Sequence, residues 1–324
     1  MKIKINLPKE DRSTLVEPIE TLTQPTKLKR NCLLTCLGLI IVLTCASATL
    51  AAPCNADFYG VPLGDFPACN DYWTKNNLSL ITLSQYEIDG SIYLAGSFQG
   101  GPKRRAKWGL SQSTLEKLNE EYLTSGEGWR LDQVNVLTTS NGQFFAAIWV
   151  PDLKLAWENH NFMLQSQFDQ RFTNMDQKGW NMSDVASYRV RTLLSGQPYM
   201  AVRWSGVWAG VGFGPSKVHD NMEWEDFGKH NKEYSQQGYT VTRFVTYRGD
   251  SRKGSPWLFA AIWRAKNKLA SGTWQLMPNT TFPEFQKMYN ELGPKGYRLY
   301  YINVVEDIVS AIWIKPFIVK VPGK

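Results

Sequence analysis

One pattern recurs four times along this chain. A glycine–aromatic pair, at Gly128-Trp129, Gly179-Trp180, Gly238-Tyr239 and Gly296-Tyr297, opens a β-rich stretch that closes on tryptophan. The closing segments are Ala146-Ala147-Ile148-Trp149, Ala201-Val202-Arg203-Trp204, Ala260-Ala261-Ile262-Trp263 and Ser310-Ala311-Ile312-Trp313. A degenerate fifth copy precedes them. Asn77-Leu78 stands in the glycine–aromatic place and Ala95-Gly96-Ser97-Phe98 in the strand ending, and Leu78 to Trp129 and Phe98 to Trp149 are each 51 residues. Self-similarity at such a period restricts the chain to a stack of like units, because one short unit cannot bury its own apolar face.

Each unit reads as a helix followed by a β-hairpin. Phe168, Phe172 and Met175 fall at i, i+4 and i+7, and Phe282, Phe285, Tyr289 and Leu292 share one helical face. Trp224, Phe227 and Tyr234 do the same, and Phe66 and Trp73 hold the corresponding places in the first copy. Ser113-x-x-Glu116 and Thr281-x-x-Glu284 read as capping boxes, with Pro283 at an early helical position. Gly179, Gly238 and Gly296 then fall just past a helix end, where a left-handed backbone is needed. Strands follow, broken by turn signals at Asp89-Gly90, Ser140-Asn141-Gly142, Ser195-Gly196-Gln197-Pro198 and Gly249-Asp250. The expected domain is α+β over residues 53–324, with units near 64–101, 111–151, 164–206, 221–265 and 280–316.

The helix, the glycine–aromatic pair, the turn and the Ala-Ala-Ile-Trp strand together resemble the bacterial tandem repeat family. Such repeats also precede the β-lactamase-like domain of polyglycine hydrolases. The resemblance covers roughly residues 65–315. It implies a curved antiparallel sheet, a partial barrel, with helices packed on one face. It implies no activity, because the hydrolase chemistry resides in the other domain. That domain's Ser-x-x-Lys signature is missing: no lysine in this chain has a serine three residues before it.

Residues 1–52 lie outside the repeats. A polar leader ends in Lys27, Lys29 and Arg30, and the 21 residues from Cys32 to Ala52 carry no charge. With Ala46-Ser47-Ala48 at its end, this reads as an export signal, or, left uncleaved, as a membrane anchor. Cys54 and Cys69, the two cysteines beyond it, suit one disulfide in an oxidising compartment. The formal charge of +7 falls once the leader is set aside, leaving 29 basic against 25 acidic residues from position 53 onward. That mild excess gives no reason to expect a nucleic-acid partner.

Candidate functional groups are sparse. His160, His219 and His230 are the only histidines. The group His219, Asp220, Glu223 and His230 matches no metal-ligand spacing and reads as solvated polar residues, so neither metal nor cofactor is expected. Gly210-Val211-Gly212-Phe213-Gly214-Pro215 reads as a connecting loop, and Lys103-Arg104-Arg105 as a solvated one. The row Phe98, Trp149, Trp204, Trp263 and Trp313 is either sheet–helix core or an aromatic strip for an extended glycan or peptide. Tyr86, Tyr188 and Tyr247 form a second row near the hairpin turns, expected closer to solvent and therefore the better ligand candidates. The expected function is an exported, non-enzymatic module that binds an extended ligand or a surface partner. The alternatives are a hydrolase with a dispersed site and a structural envelope protein.

Overall fold

The computed structural model describes residues 52–152, 155–195, 197–249, 256–265 and 273–315. The apolar segment 32–52, on which the export and anchor readings rest, lies outside them but for its last residue. Among the described residues no helix is long and apolar enough to cross a membrane.

Five units follow one another, each a strand, a helix and two more strands. Unit one comprises β1 (Asp57–Pro62), α1 (Phe66–Lys75), β2 (Ser79–Ile88) and β3 (Ser91–Gln99). Unit two is β4 (Arg105–Leu110), α2 (Gln112–Thr124), β5 (Trp129–Thr139) and β6 (Gly142–Pro151). Unit three is β7 (Trp157–Met163), α3 (Gln165–Gln177), β8 (Asn181–Leu194) and β9 (Gln197–Ala209). Unit four is β10 (Ser216–Met222), α4 (Trp224–Gln236), β11 (Tyr239–Arg248) and β12 (Trp257–Ala265). Unit five is β13 (Thr273–Thr281), α5 (Phe282–Leu292), β14 (Arg298–Val305) and β15 (Ile308–Lys315). The strand before each helix, such as β4 or β10, is absent from the helix-plus-hairpin reading. It is short, mostly polar and only partly buried, so it carries little hydrophobic signal.

Every unit forms its own three-stranded antiparallel sheet, with the last strand in the middle, as in β1-β3-β2. One curved sheet or partial barrel does not form: the five sheets are separate. The glycines just past the helices take the left-handed backbone expected of them, with φ of 72° at Gly179 and 83° at both Gly238 and Gly296. Asn77, in the degenerate copy, has φ of 60°. Asp89 and Gly90 form a two-residue hairpin turn with φ of 49° and 77°. Thr281 caps α5, and Glu284 accepts from its backbone N–H at 3.0 Å. The cap of α2 is Ser111 rather than Ser113: its hydroxyl accepts from the Thr114 N–H at 3.2 Å, which starts the helix two residues earlier.

The Ala-Ala-Ile-Trp segment takes its form from packing on both faces of the sheet. Alternate residues point to opposite faces. Ala147 and Trp149 join α2 residues Leu115 and Tyr122 in the core of unit two. Ala146 and Ile148 enter the core of unit one beside Phe66 and Phe98. Ala260 and Ile262 likewise enter the core of unit three, while Ala261 and Trp263 serve unit four. Each helix is therefore sandwiched between its own sheet and that of the next unit. The order continues through the last unit, whose helix residues Phe285 and Leu292 share a core with Tyr86 and Ala95 of unit one. The described units thus close into a ring of five.

Candidate functional site

The second strands, β2, β5, β8, β11 and β14, line the ring axis. Each is an edge strand of its sheet, so its outward N–H groups need partners from elsewhere. Side chains of the next unit supply them. The Leu83 N–H donates to Gln133 Oε1 at 3.0 Å and the Val134 N–H to Asp184 Oδ2 at 2.7 Å. Across the closure the Ile302 N–H donates to Thr82 Oγ1 at 3.1 Å. A second row repeats the device: Gln85 N–H to Asn135 Oδ1 at 2.8 Å, and Val304 N–H to Ser84 Oγ at 2.9 Å. Thr82, Gln133, Asp184, Arg243 and Tyr301 occupy one repeat position, the first after a bulge in every second strand. Sequence reasoning passed over this row. Its only signal is polar residues aligned in otherwise apolar strands.

At one end of the axis charges are buried together. Asp132 lies within 3.0 Å of Arg104 and 3.4 Å of both Arg130 and Arg243. Arg243 Nε reaches Asp184 at 2.8 Å. Burial alone would raise the Asp132 carboxyl, but Arg243, Arg104 and Arg130 outweigh it and hold the group well below the usual range. At Asp184 burial outweighs Arg243 and the Val134 N–H, and the carboxyl is pushed up to about 7. Phe213 covers this end, its ring 4.8 Å from the Arg130 guanidinium and 4.4 Å from that of Arg264. The glycine-rich segment 210–215 is thus the support of an aromatic cap as well as a link. Lys103-Arg104-Arg105 is no freely solvated loop: Arg104 pairs with Asp132, and Arg105 pairs with Glu127 at 2.5 Å while stacking on Trp129.

The other end, at the hairpin turns, is open. A cavity of about 260 Å³ is lined by residues of units one, two, three and five, among them Glu87, Asp89, Thr138, Arg189 and Glu306. Glu306 accepts from Arg189 Nη1 at 3.0 Å and faces Arg248 Nε at 3.7 Å. Thr138 Oγ1, Arg189 Nε and Arg248 Nε are buried without a hydrogen-bond partner among the described residues. Residues of four units, four of them charged, meet at this opening, and that convergence makes it the candidate site.

The tyrosine row is buried, not solvent-facing. Tyr86, Tyr188 and Tyr247 are 1–2% exposed. Their hydroxyls accept from the backbone N–H of Gly60, Phe162 and Asn221 at 2.8, 2.9 and 3.0 Å. Those three residues have positive φ and lie in the bulge of each unit's first strand. The row therefore locks bulges, and burial pushes the Tyr86 hydroxyl up to about 12. The tryptophan row is buried too, with Trp149, Trp204, Trp263 and Trp313 at most 1% exposed, so it forms core and no ligand strip. One member belongs elsewhere in register. Trp208, paired with Met182, holds the place that Trp149 holds opposite Leu131, whereas Trp204 pairs with Ser187. Unit three has a longer hairpin, which displaces the apparent motif toward the turn.

Cys54 and Cys69 are disulfide-bonded, with Cα atoms 5.6 Å apart. His219 and His230 are stacked at 4.0 Å between ring centroids, and His219 Nε2 lies 2.6 Å from the Tyr234 hydroxyl. They are part-buried packing groups rather than solvated ones. Among the described residues no cluster of three potential ligands could hold a metal ion.

Repeated units, each completing its neighbour's core around an axis, define a tandem-repeat protein. The family described as "Polyglycine hydrolase-like, structural repeat" matches residues 101–152, 214–266 and 271–316, which are units two, four and five with their first strands included. Three of the five units are therefore polyglycine hydrolase-like structural repeats. A comparison with curated proteins finds no match.

Proposed function

We propose that this chain is an exported, non-enzymatic binding module whose ligand enters the hairpin-turn end of the ring axis. The observation that carries the reading is the convergence of four units on one cavity, with the charged side chains of Glu87, Asp89, Arg189 and Glu306 in its lining. Export rests on the uncharged segment 32–52. An extended aromatic strip no longer supports the reading, because both aromatic rows are buried. The ligand is thus held end-on at a mouth instead of along a groove. Glycan and peptide arrays probed with the full chain test this, alongside Thr138→Trp, which fills the opening. A ligand captured by the wild type and lost by the plugged variant is the expected result. Equal capture by both sinks the proposal.

A further inference from the structure

We infer that a second cavity, beside the long hairpin of unit three, binds a small amphiphilic carboxylate, an acidic head on a short aliphatic chain, with Arg203 holding the head. In unit three β9 runs on past the end of β7, whose last pair is Met163 with Trp204, so residues 197–203 overhang it. In the other units three residues at most do so. The overhang walls a cavity of about 360 Å³ between this hairpin, the start of α3 and the hairpin of unit four. Small-molecule sites run from roughly 300 to 1,000 Å³, and this one lies at the small end. No residue of its lining belongs to the mouth, so the inference does not depend on the reading of that opening.

The lining sets the class of ligand. Leu164, Leu193, Ala201, Val202 and Leu258 supply apolar wall. Leu164 and Leu193 are 45% and 68% exposed, so an aliphatic chain seated between them removes apolar area from water. The polar side chains Gln165, Asn221 and Tyr247 are already engaged. Gln165 accepts from Trp204 Nε1 at 2.9 Å and donates to Asp169 and Asp220 at 2.7 and 2.6 Å. Asn221 and the Tyr247 hydroxyl bond each other twice, at 2.8 and 3.0 Å. A peptide or glycan would have to bury polar groups with few partners here, at a cost that a chain with one polar head avoids. Among the described lining residues Arg203 is the one charged group, and no carboxylate faces it there. It makes one hydrogen bond, Nη1 to the Val202 carbonyl at 3.1 Å, and no ion pair among the described residues. It is only part-buried, and none of its nitrogens is a donor sealed from water without a partner, so its remaining donors are open to a ligand. A guanidinium presents those donors as a planar fork that matches a carboxylate. The N-terminus of α3, at Leu164 and Gln165, adds a partial charge of the same sign.

Calorimetric titration of the purified full chain with octanoate, octanamide and acetate tests the assignment. Octanoate is expected to bind saturably at a single site. Octanamide, which keeps the chain and loses the charge, should bind roughly 10-fold weaker or worse, and acetate, which keeps the charge and loses the chain, should give no measurable binding. Arg203→Gln should bring octanoate down to the level of the amide and leave the amide unmoved. Leu193→Ser, at an exposed position, should weaken acid and amide alike. Arg191→Gln, exposed and outside both cavities, should change nothing. Circular dichroism melts confirm that each variant is folded, and the comparison of acid with amide needs no variant at all. Equal affinity for acid and amide overturns the assignment, as does octanoate uptake that never saturates or fails to occur. Loss of octanoate binding in Thr138→Trp with no loss in Arg203→Gln would move the ligand to the mouth and overturn it too.

Discussion

Gly238 has φ of 83°, and a Cβ placed on it would meet no atom within 4 Å. The need for glycine is therefore one of backbone conformation alone. A β-branched residue is a conformational outlier there, so Gly238→Val should destabilise by about 1 kcal/mol or more. Trp263 is different: its indole is fully buried and its Nε1 donates to Asn231 Oδ1 at 3.0 Å. Trp263→Ala should cost roughly 3–5 kcal/mol, read as a lowered midpoint in denaturant. His219 supplies a pH dependence. Its pKa is depressed by burial first and by stacked His230 and nearby Lys217 next, against the pull of Glu233. A depressed base is held neutral in the fold, while the unfolded chain takes its proton near pH 6.5. The stability it contributes is present above about pH 6.5 and is lost as pH falls below it. Melts from pH 8 to pH 5 should show that loss, and His219→Gln should flatten it; an unchanged slope refutes the account.

Among the elements, the first strand of each unit is the one that depends most on its surroundings. It pairs with the central strand on one side only and carries a bulge. In units one, three and four a tyrosine hydroxyl takes the bulge N–H; in unit two Gln85 Oε1 of unit one takes that of Gly109 at 2.8 Å. The first unit has a further tie. The Cys54–Cys69 bond, with a sequence separation of 15, joins the segment before β1 to the buried face of α1. In the chain-entropy account such a bond contributes about 3 kcal/mol. A reductant should therefore lower the melting temperature of the wild type and leave a Cys54→Ser, Cys69→Ser double variant unmoved. Two free thiols within residues 53–324, labelled in the denatured, unreduced protein, would show that the bond does not form.

For the whole molecule the decisive contact is between its last and first units. Val304 N–H donates to Ser84 Oγ, and Asn135 Nδ2 donates to both Ser84 Oγ and Asn303 Oδ1 at 3.0 and 3.1 Å. Arg298 closes the outer side onto Asp57 at 2.8 Å. An open repeat array unfolds piecemeal, because terminal units have one neighbour. A closed ring has no such end, so the described units should unfold in one cooperative step, with calorimetric and van't Hoff enthalpies in agreement. Ser84→Ala leaves a buried N–H unpaired and should cost about 1–3 kcal/mol. A multistep melt in the wild type would mean that the ring is open in solution.

What the amino-acid order determined by itself is what depends on neighbours close along the chain. The amphipathic stripe of Phe168, Phe172 and Met175, the left-handed glycines at 179, 238 and 296, the Asp89-Gly90 turn and the proximity of Cys54 to Cys69 are all of that kind. Five units with a common period were legible for the same reason. Tertiary structure alone decided three things. The sheets stay separate because side chains such as Gln133 and Asp184, not backbone, satisfy the edge strands of the preceding unit. Tyr86, Tyr188 and Tyr247 are buried because each lies beneath the helix of the preceding unit in the ring, a neighbour that local periodicity cannot reveal. The mouth exists only because Glu87, Thr138, Arg189 and Glu306, from four units, meet where the ring closes. Their convergence depends on the rotation between successive units, a quantity set by packing over all five cores.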